Sequence, residues 1–145
     1  MYIFDIDGTL ADPTHRLKHI IGDKKNWDAY DSLGHMDKPI YAVIGVLNAL
    51  YYSGHDIMLL TGRNERVRYD TETWLTTHDV HWDELLMRPG HDFRPDTVVK
   101  LAQLDKYLAK APHTEIQTIF DDRKRLVEAY RDRGYHVCQV AEGDF

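Results

Sequence analysis

Two aspartates separated by one residue, Asp5 and Asp7, stand at the end of a short apolar run near the start of the chain, and Gly8 and Thr9 follow them directly. Two more apolar runs end in polar clusters: Thr61-Gly62-Arg63 closes one, and Asp121-Asp122 closes another. If these runs are neighbouring parallel strands, their carboxyl-terminal tips bring the carboxylates to one place. Acids gathered in a partly desolvated crevice repel one another strongly unless a cation sits among them. A hard, oxygen-seeking ion such as Mg²⁺ fits, because carboxylates, a carbonyl and waters are its preferred ligands.

Positioning those residues is the task of the surrounding elements. Tyr2-Ile3-Phe4-Asp5-Ile6 reads as a buried strand that delivers Asp5 at its tip. Residues 39–53 carry apolar side chains at helical spacing (Ile40, Val43, Ile44, Leu47, Leu50, Tyr51), and Gly54 supplies the stop. The pattern then predicts a second strand over residues 56–61 and a helix over residues 65–77. Leu85-Leu86-Met87 predicts a third strand, and Pro95 suits the first turn of a helix running to about residue 110. Ile116-Gln117-Thr118-Ile119-Phe120 ends at the acid pair as a fourth strand, a helix to Arg133 is stopped by Gly134, and residues 135–140 supply the last strand.

Alternation of this kind predicts an α/β fold, a Rossmann-like parallel sheet with helices on both faces. Residues 12–38 break the pattern, being polar with scattered aromatics (Trp27, Tyr30) and two glycines, Gly22 and Gly34. They read as a small insertion after the first strand: either a cap over the strand tips or a plain surface excursion.

With 145 residues, 43% of them hydrophobic, and no linker or repeat, a single domain over residues 1–145 is expected. No run approaches the roughly 18 consecutive apolar residues of a spanning helix, and the first residues lack the features of a signal peptide, so a cytoplasmic protein without membrane contact is expected. The formal charge of −6 argues against broad, sequence-blind wrapping of nucleic acid. The arginines between residues 62 and 94 could still hold one or two phosphates locally. Cys138 is the single cysteine, which excludes an internal disulfide; its Val-Cys-Gln-Val context predicts a buried small hydrophobe. The 9 histidines form no His-Glu-x-x-His pair, and scattered surface positions are expected for them.

Asp5-Ile6-Asp7-Gly8-Thr9 resembles the nucleophile signature of haloacid dehalogenase superfamily phosphatases. That family's later motifs are a strand-end Ser or Thr, a Lys and a pair of acids, and Thr61, Lys100 and Asp121-Asp122 stand in that order. Within it, Phe4-Asp5-Ile6-Asp7-Gly8-Thr9-Leu10-Ala11, Thr61-Gly62-Arg63, Asp96-Thr97-Val98-Val99-Lys100, Asp121-Asp122-Arg123 and the ending Gln139-Val140-Ala141-Glu142-Gly143-Asp144-Phe145 resemble the 3'-phosphatase domain of phage polynucleotide kinase. No Gly-x-x-x-x-Gly-Lys-Ser/Thr loop occurs, so the likeness is to the phosphatase half alone, and a separate kinase would be its partner.

The resemblance implies a role for each residue. Asp5 would be the nucleophile and carry an aspartyl phosphate, and Asp7 would protonate the leaving oxygen and then activate water. Mg²⁺ would be held by Asp5, by the backbone carbonyl of Asp7 and by at least one of Asp121 and Asp122. Thr61 and Lys100 would hold the transferring oxygens, while Arg16, Arg63, Arg88 and Asp96 match substrate-site positions. The implied substrate is a phosphorylated nucleotide or a nucleic-acid end, preferably a 3'-phosphate on DNA or RNA. A phosphatase of free mononucleotides or other small metabolites is the alternative, and an inactive phosphate- or partner-binding relative is a third reading.

Each residue also has a plainer reading. Asp122 would suit a cap for the following helix, Thr61 an ordinary strand-end hydroxyl, Lys100 a solvated helix lysine, and Arg66 and Arg68 exposed helix charges.

Overall fold

In a computed structural model, residues 1–143 are described, so Asp144 and Phe145, which close the resembling ending, lie outside the described residues. The apolar runs form β1 (Tyr2–Phe4), β4 (Ile57–Asn64), β5 (Glu84–Arg88), β6 (Thr118–Arg123) and β7 (Val137–Gly143), which build a 5-stranded sheet in the order β5-β4-β1-β6-β7. All of its pairings are parallel. Helices α2 (Tyr41–Tyr52), α3 (Arg68–Thr77), α4 (Asp96–Lys110) and α5 (Lys124–Asp132) connect the strands.

Alternation along each strand sorts the side chains onto two faces. Phe4, Ile57, Leu59, Leu85 and Met87 pack with Ile44 and Leu47 of α2 and with Trp74 and Leu75 of α3. Ile3, Met58, Leu60 and Ile119 pack on the other face with Leu104 of α4 and with Leu126 and Tyr130 of α5. Each such side chain withdrawn from water stabilises the fold by about 1.5–3 kcal/mol. No helix among the described residues is long and apolar enough to cross a membrane.

The helical stops at Gly54 and Gly134 both have φ of +86, a backbone shape that glycine adopts without steric cost. Pro95 sits one position before α4, at its cap, rather than in the first turn. Cys138 corrects an expectation: it is exposed. It lies on the edge strand β7, where Val137 packs with the α4 and α5 layer and the next side chain points to the opposite face.

The strands differ in extent from the sequence reading, and the differences in β1 and β4 lie at the candidate site. β1 ends at Phe4, because the carbonyl of Ile6 accepts from the amides of Thr9, Leu10 and Ala11 and folds the chain into a tight turn. β4 runs on through Gly62 and Arg63 to Asn64, where pairing with β5 resumes after a register shift that begins at Leu60. A matching shift interrupts β6 against β7 between Asp121 and Arg123. Such irregularities re-aim side chains at a strand tip.

The insertion is bounded by a two-stranded antiparallel ribbon, β2 (Ala11–Asp12) with β3 (Lys38–Pro39). Between them lie two 3-10 turns and the short helix α1 (Trp27–Ser32), which is capped by the Asn26 side chain accepting from the Ala29 amide. Arg66, in the turn after β4, bonds Asp28 of α1 at 2.5 Å and so ties the insertion to the sheet layer.

Candidate active site

At the tip of β1, Asp5 lies between its two neighbouring strands, its amide donating to the Phe120 carbonyl at 2.9 Å. Lys100, reaching up from α4, donates from Nζ to Asp5 Oδ1 at 2.6 Å and to Asp121 Oδ2 at 3.2 Å. Asp5, Asp121 and Asp122 each offer a carboxylate oxygen within 4.8 Å of the others, and all three residues are buried, as is Lys100. Three carboxylates against one ammonium leave the cluster short of positive charge. Burial raises the Asp5 carboxyl well above its ordinary range against the pull of Lys100, with Asp121, Asp122 and Asp7 adding to the rise. Burial and then Asp121 push the Asp122 carboxyl up to about 6.

Asp122 also corrects its plainer reading. It caps nothing: α5 begins after Arg123 with no side-chain cap, and it is Asp121 Oδ1 that accepts from the Arg123 amide, at 2.9 Å. Asp122 Oδ1 is buried without a hydrogen-bond partner among the described residues. A side chain at Gly8, where φ is +89, would overlap the Asp122 carboxylate, so the glycine of the first motif leaves room for that acid. An orphaned buried carboxylate oxygen beside two further carboxylates is a donor set that fits a hard divalent cation. No histidine belongs to this group among the described residues.

Asp7 belongs to a separate network. Its Oδ1 accepts from Arg16 NH2 at 2.6 Å and from Arg63 Nε at 2.8 Å. The same two guanidinium groups converge on Asp37: Arg16 gives it Nε at 2.8 Å and NH2 at 2.5 Å, and Arg63 gives it NH2 at 2.7 Å. His15 reaches Asp37 Oδ1 at 2.8 Å, and the Trp74 indole donates to the Asp37 carbonyl at 2.9 Å. Burial alone would raise the Asp7 carboxyl, but Arg63 and Arg16 outweigh it and hold the group well below the usual carboxylate range. Both guanidinium groups bind the same oxygen, and no hydrogen bond among the described residues uses Oδ2.

A third network closes the side toward β5. Arg88 donates to the carbonyls of Gly62, Asp92 and Arg94 and to Asp96 Oδ1, fastening the loop after β5 against the tip of β4. Asp96 Oδ2 accepts from Arg123 at 3.0 Å. A side chain at Gly62 would come within 2.6 Å of Asp96 Oδ1, so that glycine permits the close approach of β4 to the start of α4. Thr61 is fully buried, and its Oγ accepts from the Arg63 amide at 3.2 Å.

The fold thus brings Asp5, Lys100, Asp121 and Asp122 into one cluster and sets Asp7, Arg16 and Arg63 beside it. Arg16 and Arg63, like Arg88 and Asp96, are engaged with protein partners here. Arg66 and Arg68 are ion-paired, to Asp28 and to Glu65 and Glu72 respectively. The residue that sequence reasoning missed is Asp37. Nothing in its local pattern separates it from an ordinary polar residue of the insertion, and its partners Arg16 and Arg63 lie on other elements. Arg123 was missed as well, though its place directly after the acid pair could have marked it.

A family model of the polynucleotide kinase PNKP phosphatase domain matches residues 1–145. The chain belongs to that family. It is therefore a phosphatase of the haloacid dehalogenase superfamily. Two solved structures are similar at the level of sequence as well as fold. In the Pnkp1/Rnl/Hen1 complex, a chain shares 27% identity over 99% of this chain and 46% of its own length, with a TM-score of 0.81. In the Pnkp1/Rnl/Hen1 RNA repair complex the identity is 28% over 99% of this chain and 43% of the other, with a TM-score of 0.77. This PNKP-type chain thus spans less than half the length of those two relatives. A putative phosphatase from Clostridium difficile, 17% identical over 94% of this chain and 82% of its own, shares the fold with a TM-score of 0.67.

Proposed function

We propose that this PNKP-type phosphatase is a Mg²⁺-dependent phosphomonoesterase that removes 3'-phosphate from DNA or RNA ends through a phosphorylated Asp5. The observation that carries the reading is the division of labour between two carboxylates two residues apart. Asp5 sits in the acidic cluster against Lys100, and Asp7 is held apart by Arg16 and Arg63.

In this reading the Asp5 carboxylate attacks phosphorus, a bond forms between its oxygen and phosphorus, and the ester oxygen departs in line on the opposite side. Asp7 gives that oxygen its proton through Oδ2. Arg16 and Arg63 favour the ionised carboxylate, so Asp7 takes its proton from the monoanionic ester as that ester binds, and releases it readily to the departing oxygen. Asp7 then takes a proton from the water that cleaves the aspartyl phosphate, returning Asp5 and releasing inorganic phosphate. Thr61 and Lys100 orient the non-bridging oxygens, with Lys100 balancing charge beside Asp5. Asp5, Asp121, Asp122 and the Asp7 carbonyl are the proposed Mg²⁺ ligands, and the bound cation would supply charge neutralisation at the phosphoryl oxygens.

Arg16 and Arg63 are proposed to meet a substrate phosphate with the donor capacity that Asp7 and Asp37 do not use, and Arg88 and Asp96 to border the substrate on the β5 side. Residues 12–38 act as a small cap within one domain, since Arg16 and Asp37 come from it. The RNA repair complex of the relatives supports a nucleic-acid end as substrate and partner enzymes; a separate kinase partner and a cytoplasmic location complete the proposal. A second reading, a phosphatase of free mononucleotides or small metabolites, is favoured by the burial of every reacting group and by the charge of −6.

Rates on a 3'-phosphorylated oligonucleotide and on free 3'- and 5'-mononucleotides, with and without Mg²⁺, decide between the two. A preference for the oligonucleotide is expected. Equal or faster turnover of the mononucleotides would transfer the assignment to the second reading, and full activity in metal-free buffer would remove the metal from it.

A further inference from the structure

Tyr30 lies on α1, in the insertion, and is buried, with 2% of its surface exposed. Its hydroxyl is buried and has no hydrogen-bond partner among the described residues. A phenol removed from water without a partner costs about 1–3 kcal/mol, so the position calls for an explanation. The ring is locked in place: the Arg16 guanidinium lies over it at 4.0 Å from the centroid, Arg16 NH1 donates to the Tyr30 carbonyl at 3.2 Å, and Trp27 meets its edge at 5.8 Å. The charged groups that act on the hydroxyl are Asp7, Arg16, Arg123 and Asp37. Arg16, which covers the ring, also donates to Asp7 Oδ1 at 2.6 Å, so one guanidinium joins Tyr30 to the second aspartate of the first motif.

We propose that Tyr30 is a further catalytic residue, whose hydroxyl donates a hydrogen bond to the leaving-group oxygen of the substrate phosphate ester. This rests on the reading of Asp5 as nucleophile and Asp7 as acid. An in-line attack from the β1 tip sends the leaving oxygen away from the sheet, toward the insertion that carries Tyr30. There the oxygen meets two donors. Asp7 delivers the proton as the bond from phosphorus to the ester oxygen breaks, and Tyr30 keeps its own proton and stabilises the charge that develops before Asp7 has finished. Burial, with Asp7 close by, raises the phenol further above its ordinary range, so it acts only as a donor. Tyr30 and Asp5 are both buried in the protein without substrate.

The test is Tyr30→Phe, which removes one atom and keeps the ring under Arg16. Three quantities are read: the melting temperature, kcat/KM on a 3'-phosphorylated oligonucleotide, and kcat/KM on an aryl phosphate with an acidic leaving group. The expected result is a melting temperature equal to or above wild type, with a loss of about tenfold to a hundredfold on the oligonucleotide, the range for one hydrogen bond to a charged oxygen. The aryl ester, whose leaving oxygen needs little help, should lose less than about threefold. Wild-type turnover of the oligonucleotide would overturn the proposal, as would equal losses on both esters or a lowered melting temperature, which would give the hydroxyl a structural partner. Asp5→Asn, run alongside, separates this from the underlying reading: if Asp5→Asn still turns over, the nucleophile assignment has failed, whatever Tyr30 does.

Discussion

Asp37 should be worth more to this protein than its place in a polar insertion suggests, and Asp37→Asn measures how much. Its side chain is fully buried and receives Arg16 twice, Arg63 once and His15 once. With Asp7 it makes two carboxylates for two guanidinium groups, a balanced set. The substitution leaves both arginines to Asp7 alone, with one positive charge uncompensated in the interior. Breaking a buried pair from one side costs about 3–5 kcal/mol. One unit-charge attraction at about 4 Å, with an effective dielectric of about 20, is worth roughly 4 kcal/mol, which agrees in scale. In a chain of this size that corresponds to a fall of roughly 10 °C in melting temperature. Chemistry should suffer as well, because two guanidinium groups with no other carboxylate hold Asp7 more firmly ionised and make it slower to carry a proton to an alkyl leaving group. Thermal melts and urea titrations of Asp37→Asn, Arg16→Met and the double variant give the coupling. The double variant should be less unstable than the sum of the singles, since it restores one arginine to one carboxylate. A melting temperature within about 2 °C of wild type, or strict additivity, would refute the shared-charge argument.

Three other outcomes follow from the same geometry. The folded Asp122 carboxyl, pushed up to about 6, binds its proton more tightly than the ordinary value of 3.8, so its contribution to metal-free stability is complete below about pH 4 and is lost as pH rises to about 6. That is a loss of about 3 kcal/mol, so Asp122→Asn should melt higher than wild type in chelator at pH 7, and added Mg²⁺ should raise wild type but not the variant; a difference between the two proteins that is flat across pH 4–6 would sink this. Asp7→Asn should release about one equivalent of phenol from an aryl phosphate in a burst and retain phosphate on Asp5, while its turnover of a nucleotide ester falls by roughly two to four orders of magnitude; rapid-quench detection of the adduct checks it, and wild-type turnover of both esters would remove Asp7 as the acid. Gly62→Ala would drive a methyl group toward Asp96 Oδ1 and loosen its hold on Arg88 and Arg123, so kcat/KM should drop at least tenfold, and unchanged kinetics would show that this contact can be spared.

Much of the fold and part of the site follow from local pattern. The runs ending at Asp5, Thr61 and Asp121 are buried strands because apolar residues of that length, bounded by glycine, have to be withdrawn from water, and parallel pairing then brings their tips together. Lys100 could be assigned from its order after the first motif, and its side chain does meet Asp5. Local pattern fails where a residue's surroundings come from distant elements. It ends β4 at Thr61, whereas pairing with Arg88 carries the strand on to Asn64. It makes Asp122 a helix cap, since an acid ahead of a helix usually is one, although the chain turns its carboxylate under Gly8 instead. It buries Cys138, because it cannot tell an edge strand from a central one. Asp37, Arg16 and Arg63 are further examples. A charge can be buried only if its counter-charge is buried with it, and here the partners come from the insertion, the turn after β1 and β4, whose approach is decided when the sheet assembles and the insertion folds.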